Sequence, residues 1–268
     1  MEPVVVIFIS CLALGLIVGL LAGMLGIGGG LIIVPMLSYM LIHFAGMTTE
    51  NVMPVAIATS LSTIIFTGSA SALAHYRLGN IHRPLVLYTG VGVAMGAIVG
   101  AQVASHISGV LLKDIFAVLV IIIALQMVFG KQKTSDNAAT PLSLGGIGAG
   151  TGIVSALMGI GGGALLVPAL VWFKVNIRRA IGCAAFSGLI IAIFGTVSFI
   201  ATGWSKPGLP EGSLGYVFLP ATAGIVATSV FTASLGAKLG QRVNTKVLKA
   251  ILACLLVVVS IKMISGLE

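Results

Sequence analysis

The sequence predicts an all-α integral membrane protein made of two inverted repeats of about five helical segments each. Three observations carry this prediction. Of the 268 residues, 58% are hydrophobic and only 7% are charged, whereas a typical soluble chain carries about 25% charged residues. A glycine-rich motif occurs twice, about half a chain apart, and the positively charged loops of the two halves alternate in position.

Apolar runs long enough to cross a bilayer, about 20 residues each, recur along the whole chain. They lie at residues 4–21, 53–74, 85–104, 111–129, 180–202, 216–235 and 247–264. Shorter runs lie at residues 31–44, 144–158 and 164–173, and we expect half-helices or re-entrant hairpins there because these runs are too short to span upright. The first run lacks a basic start and a clear cleavage site, which favours a first span over a removed signal peptide.

Internal similarity divides the chain into two repeats. The stretch MLGIGGGLIIVPML at residues 24–37 returns as LMGIGGGALLVPAL at residues 157–170. Further along each half, GAQVASHISGVLLK at 100–113 parallels GAKLGQRVNTKVLK at 236–249. A polar, turn-rich segment separates the halves. We therefore predict a first repeat in residues 1–130, a linker in 131–141 and a second repeat in 142–268, within one transmembrane domain.

Loop charge predicts that the two repeats lie upside down relative to each other. The loop at 45–52 has no Lys or Arg, but the corresponding loop at 174–179 has three. The loop at 75–84 has two arginines, whereas the one at 203–213 has a single lysine beside a glutamate. Positive loops favour the cytoplasmic side, so the repeats are expected to be inverted, with both termini on the non-cytoplasmic side of the inner cell membrane.

The remaining charged and reactive residues argue against several other classes of protein. The net charge of +8 comes from single basic residues or short loops, which we interpret as orientation signals and not as a nucleic-acid surface. No carboxylate lies within a span, and we interpret the histidines as interface residues. Without a catalytic dyad, a metal cluster or a carboxylate pair in the spans, we expect no enzymatic activity, no metal and no cofactor. The oligomeric state stays open.

The two glycine motifs are candidate anion sites. Each glycine costs a helix about 1 kcal/mol, and broken backbone at membrane depth persists only when it is buried or lines a cavity. We expect a helix, an unwound turn and a second helix that begins near Gly30 or Gly163. Free N–H groups at such a helix start attract anions. The predicted donors are Gly28, Gly29, Gly30, Gly161, Gly162 and Gly163.

Gly26, Pro35, Gly159 and Pro168 are predicted to shape the breaks themselves, since proline is tolerated in the early turns of a helix. The alternative function of such glycines is close helix packing. Two breaks at corresponding positions of two repeats favour a transporter site over packing.

The doubled GIGGG…VP motif, with AIATS at residues 56–60, resembles the TauE/SafE family of anion permeases over nearly the whole chain. The resemblance implies a transporter of small sulfur-containing oxyanions such as sulfite or organosulfonates. Thr59 and Ser60 match the family pattern. The second copy reads Gly182, Cys183 and Ala184, so hydroxyl groups expected there are missing.

Thr59, Thr63, Thr67 and Ser71 recur every fourth residue and so share one helix face. We predict that Thr59, Ser60 and Thr63 donate to the anion, with Cys183 and Ser187 as their counterparts in the second repeat. These groups can instead bond back to helix carbonyls or fill contacts, which we favour for Thr67 and Ser71. The expected partners are a small anion and the lipid bilayer. An inside-negative membrane potential favours export of an anion. The alternative functions are an anion channel and a carrier of a different small organic anion.

Overall fold

The computed structural model describes residues 3–25, 29–129 and 140–240, together with residues 253, 254, 256, 257, 260 and 261. These parts of the chain are almost entirely helical. The helices are α1 (Pro3–Leu25), α2 (Gly30–Ala45), α3 (Thr49–Arg77), α4 (Arg83–His106), α5 (Gly109–Phe129), α6 (Pro141–Met158), α7 (Gly163–Trp172), α8 (Ile177–Gly203) and α9 (Leu219–Gly240). Among the described residues, six helices are long and apolar enough to cross a membrane. The all-α membrane fold is therefore confirmed.

The outer faces of the helices are apolar, as a lipid environment requires. On α4, the exposed side chains recur every fourth residue, at Leu87, Val91, Met95, Val99 and Val103. In a soluble protein this stripe would be polar. The chain thus presents large apolar side chains both to its interior and to its surroundings.

The helix α6 corrects one expectation. The run at 144–158 was expected to be too short to span, but α6 begins at Pro141 and reaches a length of 18 residues, which makes it a candidate span. Its start is extended by a capping box, in which Thr140 Oγ1 accepts from the Ser143 N–H and the Ser143 hydroxyl accepts from the Thr140 N–H. Such a cap stabilises the first helical turn. By contrast, α2 and α7 are short, with 16 and 10 residues.

A small β-hairpin corrects a second expectation. The apolar run from residue 216 was predicted to be a membrane helix, but β1 (Ser213–Leu214) and β2 (Val217–Phe218) pair in antiparallel fashion there. Gly212 and Gly215 have φ angles of 85° and 56°, which glycine adopts readily, and they allow the tight turns. The helix α9 begins only at Leu219.

The helices pack in a pattern that supports two repeats. The most extensive contacts join α1 to α9 and α4 to α6, followed by α3 with α8. In the predicted repeats, α1 corresponds to α6, α3 to α8 and α4 to α9. Exchanging the repeats therefore turns the pair α1–α9 into the pair α6–α4, and the pair α3–α8 stays the same. Glycines bring both pairs close: Gly19 lies against the Ser229 backbone, and Gly96 lies against the Ala149 backbone, as in other membrane helix pairs.

The central helices α3 and α8 run in opposite directions. Near the start of α8, Gly182 packs on the carbonyl of Asn80, just beyond the end of α3. Near the start of α3, Asn51 Nδ2 donates to the Pro207 carbonyl, just beyond the end of α8, at 3.3 Å. Because α3 and α8 are equivalent in the two predicted repeats, this antiparallel arrangement supports the inversion. The predicted linker at 131–141 falls mostly outside the described residues.

Candidate functional site

The second glycine motif interrupts the helical backbone. The helix α6 ends at Met158 and α7 begins at Gly163. Between them, Gly159 and Gly162 have φ angles of 65° and 58°, in the left-handed region that favours glycine. In the first motif, Gly29 precedes α2 with a φ angle of 75°. The predicted positions Gly26 and Gly28 lie outside the described residues.

The two motifs meet inside the protein. Gly30 packs directly on the Gly159 carbonyl, and an added Cβ atom would lie 3.0 Å from Ile160 Cα. The Ser60 hydroxyl of α3 donates to the same Gly159 oxygen at 2.7 Å. The second break is therefore held between the start of α2 and the buried half of α3, where residues 52–64 are all buried.

Several backbone N–H groups at the second break keep no carbonyl partner. The Gly163 N–H donates to the Gly161 carbonyl, and the amides of Leu165 and Leu166 donate to the Gly162 carbonyl. Within the described part of the chain, the N–H groups of Gly161, Gly162 and Ala164 donate to no backbone carbonyl. Of the predicted donors in this motif, Gly163 is thus engaged internally, and Gly161 and Gly162 keep free amides at the positive end of α7.

A cavity of about 340 Å³ lies between α1, α2, α3, α7, α8 and α9. Its polar lining comes from Thr63, Thr67, Ser71, His75, Gly161, Gly163 and Ser229. The other walls are apolar, with side chains such as Val18, Ile33 and Ile225. Among the described residues that line the cavity, His75 is the one ionisable side chain.

The cavity is closed at one end and open at the other. Thr63, at the closed end, is only 1% exposed, whereas Ser71 is exposed. At a rise of 1.5 Å per residue, the α3 face from Thr63 to His75 extends over about 18 Å. Beyond this end of the lining, α3 ends at Arg77 and α4 begins at Arg83. The cavity therefore opens at the basic end of the molecule, which the loop charges predict to be cytoplasmic.

The β-hairpin lies beyond the closed end of the cavity. One helical turn before Thr63, Thr59 Oγ1 accepts a hydrogen bond from the Phe218 N–H at 3.0 Å. Tyr216 packs edge-on against Phe199 with ring centroids 6.2 Å apart. With Phe218 fully buried, the hairpin separates the cavity from the opposite face.

The structure brings only some of the predicted binding residues to the cavity. Thr63, Gly161 and Gly163 line it. Thr59 and Ser60 lie beside its floor, with their side chains bonded to the hairpin and to the glycine break.

Other predicted residues serve the packing around the cavity. Gly29, Gly30 and Gly162 shape the breaks without lining the cavity, and Pro35 and Pro168 lie in the second turns of α2 and α7. These positions fit a structural role in the short helices.

The second-repeat counterparts lie on another side of α8. The Cys183 thiol is 3.0 Å from Thr89 Oγ1 of α4, away from the cavity. The Ser187 hydroxyl is buried and has no hydrogen-bond partner among the described residues, and Ser187 is not among the residues that line the cavity.

Sequence reasoning missed four of the polar lining residues. Thr67 and Ser71 were interpreted as packing residues and His75 as an interface residue, yet all three lie at the cavity with Thr63. Their four-residue spacing, extended to His75, would have placed them there. The Thr67 hydroxyl also donates to the Thr63 carbonyl at 3.3 Å, as the sequence analysis expects for this residue. For Ser229, no pattern in the sequence pointed to a site.

Comparison with known proteins gives matches along nearly the whole chain. The family model described as "Sulfite exporter TauE/SafE" matches residues 11–263. A "Probable membrane transporter protein" of Haemophilus influenzae is 40% identical over 257 residues, which cover 94% of this chain and 96% of that protein. The "Probable membrane transporter protein YunE" of Bacillus subtilis is 29% identical over 279 residues, with 96% and 97% covered. No solved structure matches the chain.

Proposed function

We propose a cargo and a route for this chain, which belongs to the sulfite exporter TauE/SafE family and is a multi-pass transporter of the cell membrane. The cargo is a small sulfur-containing oxyanion, such as sulfite or an organosulfonate. The route leads through the cavity between α3 and α7. The anion binds at the free Gly161 amide of the second glycine break, helped by hydroxyl groups of α3 such as that of Thr63.

The observation that carries this proposal is a cavity that reaches the start of α7 from the basic end of the molecule. Gly161 and Thr63 line its closed end, where the positive end of the α7 dipole favours an anion. Among the described lining residues there is no carboxylate that would repel an anion, and no Lys or Arg that would clamp a phosphate or carboxylate. Neutral donors suit a small oxyanion with spread charge.

A carrier explains the closed end better than a channel does. A channel needs a continuous path, but Phe218 and Tyr216 are buried beyond the floor of the cavity. Access to one central site from one side at a time is the behaviour of transporters with inverted repeats and broken helices. An anion channel is the second candidate, and its flux would not saturate at millimolar substrate.

Export is the direction that we propose. The cavity opens at the end with Arg77 and Arg83, so an anion would enter from the predicted cytoplasmic side. An inside-negative potential drives an anion outward with about 2.3 kcal/mol per charge per 100 mV. No coupling ion is required for this direction.

Ligand-induced stabilisation of the purified protein in detergent tests the cargo. A ligand that binds only the folded state raises the unfolding temperature in a concentration-dependent manner. We expect sulfite, thiosulfate or a small sulfonate to do so, with chloride, phosphate and lactate as controls at equal ionic strength. Stronger stabilisation by lactate or phosphate would contradict the sulfur-oxyanion proposal.

A further inference from the structure

We propose that Ser229 of α9 is a binding residue for the transported anion. This inference rests on the proposed function, because it adds a donor to the same cavity. Ser229 lines the cavity together with Thr63 and Gly161. It belongs to neither glycine motif, and it adds a residue of the second repeat to the cavity that the hydroxyl face of α3 also lines.

The Ser229 hydroxyl is buried and has no partner in the part of the chain that the structure describes. The side chain is 1% exposed, and its Oγ has no hydrogen bond to any described residue. A buried polar group without a partner is costly and is rare in native proteins without a functional reason. An oxyanion that reaches the end of the cavity would accept the missing hydrogen bond.

The neighbours of Ser229 on α9 have a different function. Thr228 Oγ1 donates to the Leu12 carbonyl at 2.9 Å, and Thr232 Oγ1 donates to the Gly15 carbonyl at 3.4 Å. These two hydroxyl groups attach α9 to α1. Ser229 instead shares the cavity face with Ile225 and Ala233, four residues before and after it.

Tight packing fixes the position of Ser229. Gly19 of α1 lies directly against the Ser229 backbone, with no room for a side chain between them. Because the helix cannot shift easily, the hydroxyl is held in place before the anion arrives, which reduces the entropy lost on binding. Aligning Gly100 with Gly236 makes Val93 the equivalent residue in the first repeat. The first repeat therefore supplies no matching donor, and the anion site is asymmetric.

Replacing Ser229 with alanine tests the inference, and Ser155→Ala is the matched control. Ser155 also has a buried hydroxyl with no hydrogen bond to the described parts of the chain, but it does not line the cavity. For S229A we expect the KM of transport to rise about tenfold, the effect of one lost hydrogen bond to a charged group, and for S155A no change. An unchanged KM for S229A, or equal changes in both variants, would overturn the inference.

Thiol labelling gives a readout that does not depend on the identity of the cargo. In a variant whose three cysteines are replaced, Ser229→Cys is treated with a small anionic methanethiosulfonate reagent from the basic side. We expect modification at position 229, slowed by the transported anion, and none at Ser155→Cys. Failure to modify position 229 would overturn the inference. If the proposed function is wrong, the wild-type protein will instead transport no sulfur oxyanion.

Discussion

Hydroxyl groups along α3 divide into two sets according to depth. The deeper set stabilises the fold: Thr59 accepts from the Phe218 N–H, and Ser60 donates to the Gly159 carbonyl. The shallower set, Thr63, Thr67 and Ser71, lines the cavity, and the hydroxyl groups of Thr63 and Thr67 donate to carbonyls of their own helix. Hydroxyls of the second set can turn toward a ligand without breaking contacts between helices.

Gly30→Ala is expected to destabilise the protein and to reduce transport. The new methyl group would collide with the Gly159 carbonyl, and relieving such overpacking typically costs about 1–3 kcal/mol. Thermal unfolding in detergent and flux in proteoliposomes measure both effects.

Gly146→Ala is the control, because no described atom lies within 4 Å of a Cβ atom placed there. Alanine favours a helix over glycine, so this variant should be as stable as the wild type or more stable. Equal behaviour of the two variants would show that the two glycine breaks do not meet as described.

The short elements determine which end of the cavity is closed. The β-hairpin fills the space beyond Thr63, and the second glycine break forms the floor between α3 and α7. Each element depends on glycines with positive φ angles, such as Gly162 and Gly215. These two elements separate the cavity from the non-basic end of the molecule.

Thr59→Val is expected to loosen the hairpin. The variant removes the acceptor of the Phe218 N–H, and a buried donor left without a partner costs about 1–3 kcal/mol. We expect a lower unfolding temperature and faster hydrogen exchange at residues 216–218. Thr202→Val is the control because, within the described ranges, its hydroxyl bonds only to carbonyls of its own helix. Unchanged exchange in Thr59→Val would contradict the role of Thr59 as the attachment point of the hairpin.

The sequence predicts the glycine breaks well and the hairpin poorly. Gly159 and Gly162 weaken a helix by themselves, so their local effect is visible in the sequence. Tyr216 and Phe218, however, continue into the apolar run of α9, so hydropathy alone merges strand and helix. Thr63 could be predicted at the site from its helical spacing, whereas Ser229 could not, because its position depends on how α9 packs against α1.

At the scale of the whole molecule, the repeat arrangement and the family match both support a transporter with inverted repeats. The resemblance to TauE/SafE transporters is confirmed by the family match over residues 11–263. The helix pairs α1–α9 and α4–α6 exchange under the predicted repeat relation, and α3 and α8 run antiparallel. These features support a pseudo-twofold axis in the membrane plane, as in other transporters with inverted repeats.

Accessibility of engineered cysteines tests this inversion. Met47 and Asn176 lie in the loops that precede α3 and α8, which are equivalent positions in the two repeats. In a cysteine-free background, we expect Met47→Cys to react with a membrane-impermeant reagent from outside the cell and Asn176→Cys only from inside. If both positions react from the same side, the repeats are parallel and the inversion is wrong.

Flux of sulfur oxyanions through proteoliposomes at two membrane potentials tests the central claim most directly. The account predicts saturable flux of sulfite, thiosulfate or a small sulfonate, and little flux of lactate or phosphate. The flux should be faster when the membrane potential drives the anion from the side with Arg77 and Arg83 to the opposite side. Flux that rises linearly with concentration would indicate a channel. A preference for lactate or phosphate would contradict the proposed cargo.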